Sequence, residues 1–140
     1  MNSKYFRLEE FLTSSKAKQK SIENLPSWEI VEHLKELANF LDGIREAWGS
    51  AIAISSGFRN PSLNKAVGGV DTSLHLKGYA ADLQPKNGKM KEFKLFIVDY
   101  LKDKQFDECI LEKNSKSEWC HIQLFSNNGF QRKKIFSLNK

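Results

Sequence analysis

The chain has 140 residues, 40% of them hydrophobic and 28% charged, with a net charge of +5 and a pI near 9.2. That length buries a real core without disulfide staples and fits one domain spanning residues 1–140. Two cysteines exclude a disulfide scaffold and a Cys-x-x-Cys redox or metal motif, and no apolar run reaches transmembrane length.

Leu8 to Leu12 reads as a short amphipathic segment. The lysine- and serine-rich stretch after it, through Glu23, reads as surface, so residues 1–26 are expected to form an arm or lid. Pro26 and Ser27 then open the longest helix, in which Val31, Leu34, Leu37, Ala38, Leu41, Ile44 and Trp48 recur at spacings of three and four. Ser27 supplies an N-cap and Gly49 a stop. His33 flanks that stripe with no second ligand at metal spacing, and is expected to be structural or exposed. Ala51 to Ser55 reads as a short strand, Phe58 to Pro61 as a turn into a helix running to about Val67, and 68–72 as a loop. Tyr79 to Gln84 is a second strand. Beyond the turn at Pro85–Gly88, Met90, Phe93, Phe96, Ile97, Tyr100 and Leu101 repeat with helical period. Phe106 to Glu112 and Trp119 to Phe125 read as a hairpin carrying Cys109 and Cys120 as buried thiols, and Lys134 to Leu138 as a last edge strand. This order predicts an α+β fold, a small antiparallel β-sheet with helices packed on one face.

Asp82 is the anomaly in that pattern. It follows Ala80 and Ala81 and precedes Leu83 in an apolar strand, where an unpaired carboxylate is costly. A metal ion shared with His75, seven positions earlier, would satisfy it. His121 is the third candidate, and two histidines with one carboxylate and an open fourth position are the donors of a catalytic zinc site. Side chains alternate along strands, so Ala80 and Asp82 share a face, as do Trp119, His121 and Gln123. Pairing of the two strands would bring Asp82 to His121, with His75 delivered by the preceding loop and Gly78 permitting a tight turn. Spacing alone favours unrelated structural residues over a metal site.

Ser73-x-His75-x-x-Gly78-x-Ala80-x-Asp82, followed by Glu118-x-x-His121, resembles the signature of zinc-dependent cell-wall peptidases. That family includes D-alanyl-D-alanine carboxypeptidases and dipeptidases and phage L-alanyl-D-glutamate endolysins. Ser56-Gly57-Phe58-Arg59-Asn60-Pro61-x-x-Asn64-x-x-Val67-Gly68-Gly69 is similar to the segment before the first histidine in a single-domain phage and bacterial branch. Tyr5-Phe6-x-Leu8-x-Glu10-Phe11 and Arg45-Glu46-Ala47-Trp48-Gly49 are similar to that branch as well, so the likeness covers nearly the whole chain.

The resemblance implies a zinc metallopeptidase, with one zinc per chain, that hydrolyses an amide bond in peptidoglycan stem peptides. It would be of D-Ala-D-Ala carboxypeptidase or endolysin type. His75, Asp82 and His121 would ligate the metal, Glu118 would be the general base, and Arg59 would bind substrate and stabilise the oxyanion. Ser73 would bind substrate. Arg59 and Ser73 also have local readings, tying down a turn and capping a loop. Glu118 and His121 are separated by an odd number, so a regular strand sends them to opposite faces. Glu118 then needs the strand mouth or a bulge to reach the site, and Glu112 is the alternative base.

A non-catalytic zinc-containing wall-binding or phage structural module on the same fold is the rival reading. The lysines are scattered, without a basic helix or stacking platform, so no nucleic-acid partner is expected. The expected partner is the stem peptide, and the expected state a monomer. No signal-peptide core stands at the start. The protein is therefore expected to be made in the cytoplasm and to act on the wall after release in phage lysis, or from a virion.

Overall fold

The computed structural model describes residues 1–140. Five helices, α1 (Leu8–Leu12), α2 (Ser15–Gln19), α3 (Trp28–Trp48), α4 (Pro61–Ala66) and α5 (Met90–Tyr100), accompany five strands. The strands are β1 (Ile52–Ser56), β2 (Ala80–Pro85), β3 (Glu108–Lys113), β4 (Glu118–Gln123) and β5 (Lys134–Asn139), and short 3₁₀ turns cover Leu74–Lys77 and Leu101–Asp103. The sheet order is β1-β2-β4-β3-β5.

The α+β expectation holds, with one refinement. Three strand pairs are antiparallel and β5 runs parallel to β3. The reason is where β4 ends. Gln123 lies opposite Glu108, so the return segment 124–133 starts beside the beginning of β3. It is pinned there when Lys133 N–H donates to the Phe106 carbonyl and Lys134 N–H to the Asp107 carbonyl. β5 must then leave in the direction of β3.

Helix α3 forms where its apolar stripe predicts. Ser27 Oγ accepts from Ile30 N–H at 3.3 Å, and Gly49 ends the helix at φ +79°. Leu34, Leu37, Ala38, Leu41 and Ile44 are buried against the sheet together with Phe93 and Ile97 of α5. The sheet meets them with Ala81, Leu83, Cys109, Cys120 and Ile122 in one cluster of 19 buried hydrophobic residues. Burying each large aliphatic or aromatic side chain is worth about 1.5–3 kcal/mol. This layer, rather than any surface ion pair, fixes the helices on that face.

Residues 1–26 correct an expectation, because they are part of the body rather than an arm. Phe6 and Phe11 are buried in the central cluster and meet edge to face, and Ala17 is the buried residue of α2. Asn24, also buried, donates to the Leu12 and Phe58 carbonyls and accepts from Asn60 N–H. The polar lysines between these anchors face outward and mask them in the sequence.

No helix is long and apolar enough to cross a membrane. The sheet face turned away from α3 and α5 lines a cleft of about 550 Å³ whose floor includes Asp82, Ile110, Glu112, Trp119, His121 and Leu138. Ser56 joins that face through an irregularity in β1. Ile54 pairs with Leu83, but Ser56, not Ser55, pairs with Asp82. One extra residue in a strand is a bulge, and here it presents the Ser56 hydroxyl to Arg59, which donates to it.

Candidate metal centre

His75 rides on the 3₁₀ turn Leu74–Lys77. Ser73 caps the turn, its Oγ accepting from His75 N–H at 3.2 Å, and Leu74 anchors it in the interior. Gly78 ends the turn at φ +77°, where a Cβ would come within 3.0 Å of the Ile30 side chain and 3.1 Å of the Ile30 carbonyl. Only glycine fits that conformation pressed against α3. From the other side, Arg59 N–H donates to the His75 carbonyl at 3.1 Å.

The ring of His75 is aimed by the backbone. Its Nδ1 lies 2.7 Å from the Gly57 carbonyl, which can only accept, so Nδ1 carries the proton and Nε2 the lone pair. Gly57 itself is held against α1, where a Cβ would come within 2.5 Å of the Phe11 carbonyl. Nε2 lies 3.4 Å from Asp82 Oδ1.

Asp82 and His121 are direct partners in the β2–β4 ladder, and His121 Nδ1 lies 3.0 Å from the same Asp82 oxygen. His121 Nε2 lies 3.2 Å from Gln123 Oε1 and donates to it. Lone pairs of two imidazoles and a carboxylate therefore converge. All three residues are buried, with candidate ligand atoms within 4.8 Å of one another. Three acceptors facing one another out of water require a shared cation, and this donor set suits zinc. In the metal-free protein a proton on His121 serves. Burial opposes the imidazolium, but the hydrogen bond to Asp82 outweighs it and raises the pKa of His121. Burial lowers the pKa of His75, against the pull of Asp82, and keeps it neutral and able to ligate. Burial alone would push Asp82 up, but His75 and His121 hold its carboxyl far below the usual range.

Arg59 stands beside this cluster, held by three contacts. Nε donates to Ser56 Oγ at 3.1 Å, Nη1 donates to Asn64 Oδ1 at 3.2 Å, and Nη2 lies 3.7 Å from Asp82 Oδ2. Asn64, buried on α4, is fixed in turn by donating to the Val70 carbonyl. The guanidinium lines the cleft, as does Ser73.

The two glutamates part company. Glu118 faces the helices, on the opposite side of β4 from His121. Its carboxylate pairs with Lys94 of α5 at 2.8 Å and Lys113 at 3.4 Å, and the Lys94 hydrogen bond lowers its pKa. The β3–β4 ladder is regular from Lys113–Glu118 through Ile110–His121, so no bulge rotates it into the cleft. Glu112 does lie in the cleft, buried, two residues along β3 from Ile110, the partner of His121. Such diagonal positions are about 7–8 Å apart, which leaves room for a water between them. Trp119 Nε1–H donates to Glu112 Oε2 at 3.0 Å, and Lys140 Nζ meets Oε1 at 2.7 Å.

Other expected positions fall outside the cluster. His33 stacks on Tyr79 at 4.1 Å between ring centres, and its Nδ1 donates to the Lys77 carbonyl. Cys109 and Cys120 are free thiols buried on the helix side, where burial pushes Cys109 up to about 12 and Cys120 up as well. Sequence reasoning passed over Asp107, Gln123, Arg132 and Lys140. Asp107 stands between Phe106 and Glu108 just ahead of β3, so a second acidic neighbour makes it read as a strand-end surface carboxylate. Gln123 shares the face of His121 two positions on.

Residues 4–123 match the family model described as Peptidase M15. No curated protein matches the chain. The matched span holds all three candidate ligands, Arg59 and Glu112, and it stops short of Arg132 and β5. On that match, and with a buried His-Asp-His cluster suited to a metal, the chain belongs to the zinc-dependent peptidase M15 family.

Proposed function

We propose that this chain hydrolyses an amide bond in peptidoglycan stem peptides, with Glu112 as the general base. The observation that carries the reading is the convergence of His75 Nε2, Asp82 and His121 Nδ1 on the floor of a cleft that Glu112 and Arg59 also line. His75, Asp82 and His121 would hold one zinc ion. Zinc, when bound, supplies Lewis acidity and makes water acidic enough to lose a proton near neutral pH.

The chain's own groups divide the remaining work. Glu112 takes the proton of the attacking water and returns it to the leaving amine. Trp119 and Lys140 each occupy one lone pair on a different Glu112 oxygen, so both oxygens keep one to receive the proton. They fix the carboxylate's plane and balance its charge. Arg59, immobilised by Ser56 and Asn64, offers its remaining N–H groups to the scissile carbonyl as negative charge develops there. The Ser73 hydroxyl accepts from the backbone and keeps its own proton to donate to a substrate carbonyl. A net charge of +5 favours approach to anionic wall polymer. In this reading the protein meets its substrate once released to the wall, from a lysing cell or a virion.

Digestion of purified peptidoglycan by the zinc-loaded protein, read by mass spectrometry, tests the reading. New free amines paired with new carboxyl groups in the stem are expected. Unchanged peptidoglycan in the presence of zinc-loaded protein would mean a non-catalytic wall-binding module.

A further inference from the structure

His75 and His121 are oriented by different means. His75 leans on a backbone carbonyl that no side-chain change removes. His121 leans on Gln123, and an amide can turn either its oxygen or its nitrogen towards a neighbour. What decides is Asp107, fully buried at the entrance to β3. Its carboxylate receives four donors. Oδ1 accepts from Arg132 N–H at 3.2 Å and Arg132 Nε at 2.8 Å, and Oδ2 accepts from Arg132 Nη2 at 2.9 Å and Gln123 Nε2 at 2.6 Å. An ionised carboxylate offers about four lone-pair sites and no donor. Arg132 is always charged and grips it with both arms of its fork.

The chain of consequences runs inward. Asp107 can only accept, so Gln123 must present its nitrogen to Asp107 and its oxygen to His121. The oxygen can only accept, so His121 must carry its proton on Nε2. Its lone pair is then on Nδ1, the atom 3.0 Å from Asp82. Flipping the amide would set Gln123 Oε1 against an anionic oxygen and ask His121 to ligate from the wrong side of its ring.

We propose that Arg132, Asp107 and Gln123 form a positioning relay that holds His121 in the Nε2–H tautomer and so sets the affinity of the metal centre. This rests on the metal reading of the His75, Asp82 and His121 cluster. The relay's outer link comes from the segment leading into β5, beyond the residues the family model matches. Residues 124–140 therefore do more than extend the cleft floor, because they reach the metal centre through three side chains. Removing the partner that orients a ligating histidine typically weakens metal affinity about 10- to 100-fold.

Gln123→Met tests the relay. It keeps the volume and leaves the Arg132–Asp107 pair that anchors β5. Zinc affinity, measured by competition with a chromophoric chelator, should fall about 10- to 100-fold, while the metal-free melting temperature stays within a few degrees of wild type. Equal affinity in both proteins would overturn the proposal. A second measurement needs no variant. Long-range ¹H–¹⁵N NMR of zinc-loaded wild type, in which the metal takes the place of a proton beside Asp82, should show the His121 proton on Nε2. A proton on Nδ1 would overturn the relay even if Gln123→Met failed to fold. Wild type that retained no zinc would instead overturn the metal reading on which the relay rests.

Discussion

Asp82 and His121 face each other across the β2–β4 ladder with 3.0 Å between Oδ1 and Nδ1, and His75 Nε2 approaches the same oxygen to 3.4 Å. One carboxylate oxygen thus faces two imidazoles, an arrangement that a shared metal ion satisfies and that in its absence needs a proton on His121. Wild type should carry one zinc per chain by elemental analysis. Asp82→Asn, His75→Ala and His121→Ala should each fall to a small fraction of that, and His33→Ala should retain full content. Zinc retained by the Asp82 variant would show that the ion sits elsewhere.

Arg59 is expected to act on the transition state rather than on substrate affinity. Its guanidinium is fixed at two nitrogens by Ser56 and Asn64. Arg59→Ala should lower kcat about 10²- to 10³-fold, the size of loss seen when an oxyanion donor is removed, with a smaller change in KM. Arg59→Lys should recover little, because an ammonium cannot reproduce the planar fork.

The cysteines should be silent. Both are fully buried on the helix side of the sheet, and burial pushes the Cys109 thiol up to about 12. The thiolate is the reactive form. A thiol reagent at pH 8 should modify neither residue in the native protein and both in denaturant.

The Asp107–Arg132 pair should give the fold an acid-sensitive component. Burial alone would raise the Asp107 carboxyl, but the hydrogen bonds from Arg132 outweigh it and hold the pKa below its ordinary value. A group whose folded pKa is lowered contributes its stability above the unfolded value, about 3.9. It loses that contribution as pH falls through the folded value. Asp107→Asn should therefore cost about 1–3 kcal/mol at pH 7, and the difference from wild type should shrink below about pH 4. Denaturant unfolding of the metal-free proteins from pH 7 to pH 3 measures it. A difference that stays constant across that range would contradict the assignment.

Much of the site was legible because strand alternation and helix periodicity are local. Asp82 and His121 could be placed on one face from their neighbours alone, and α3 from its stripe with Ser27 and Gly49 at its ends. The features that the sequence left open or hid depend on partners distant in sequence. Glu118 matched a motif, yet the motif does not say whether a strand runs straight, and here the Lys113–Glu118 pairing keeps it straight. The extra residue at Ser55 leaves no trace in composition. Residues 1–26 read as an arm because lysines and serines follow Phe11, although Phe6 and Phe11 are buried in the central cluster. The parallel pairing of β5 is set by where β4 ends, and its own six residues are all exposed.

The most direct measurement compares two glutamates. Zinc-loaded Glu112→Gln and Glu118→Gln are each assayed for release of free amines from purified peptidoglycan, with zinc content measured alongside. Glu112→Gln should keep its zinc and lose about 10²- to 10⁴-fold in kcat, the usual worth of a positioned base, while Glu118→Gln should stay near wild type. A fully active Glu112→Gln enzyme, or an inactive Glu118→Gln enzyme with its zinc intact, would contradict the account.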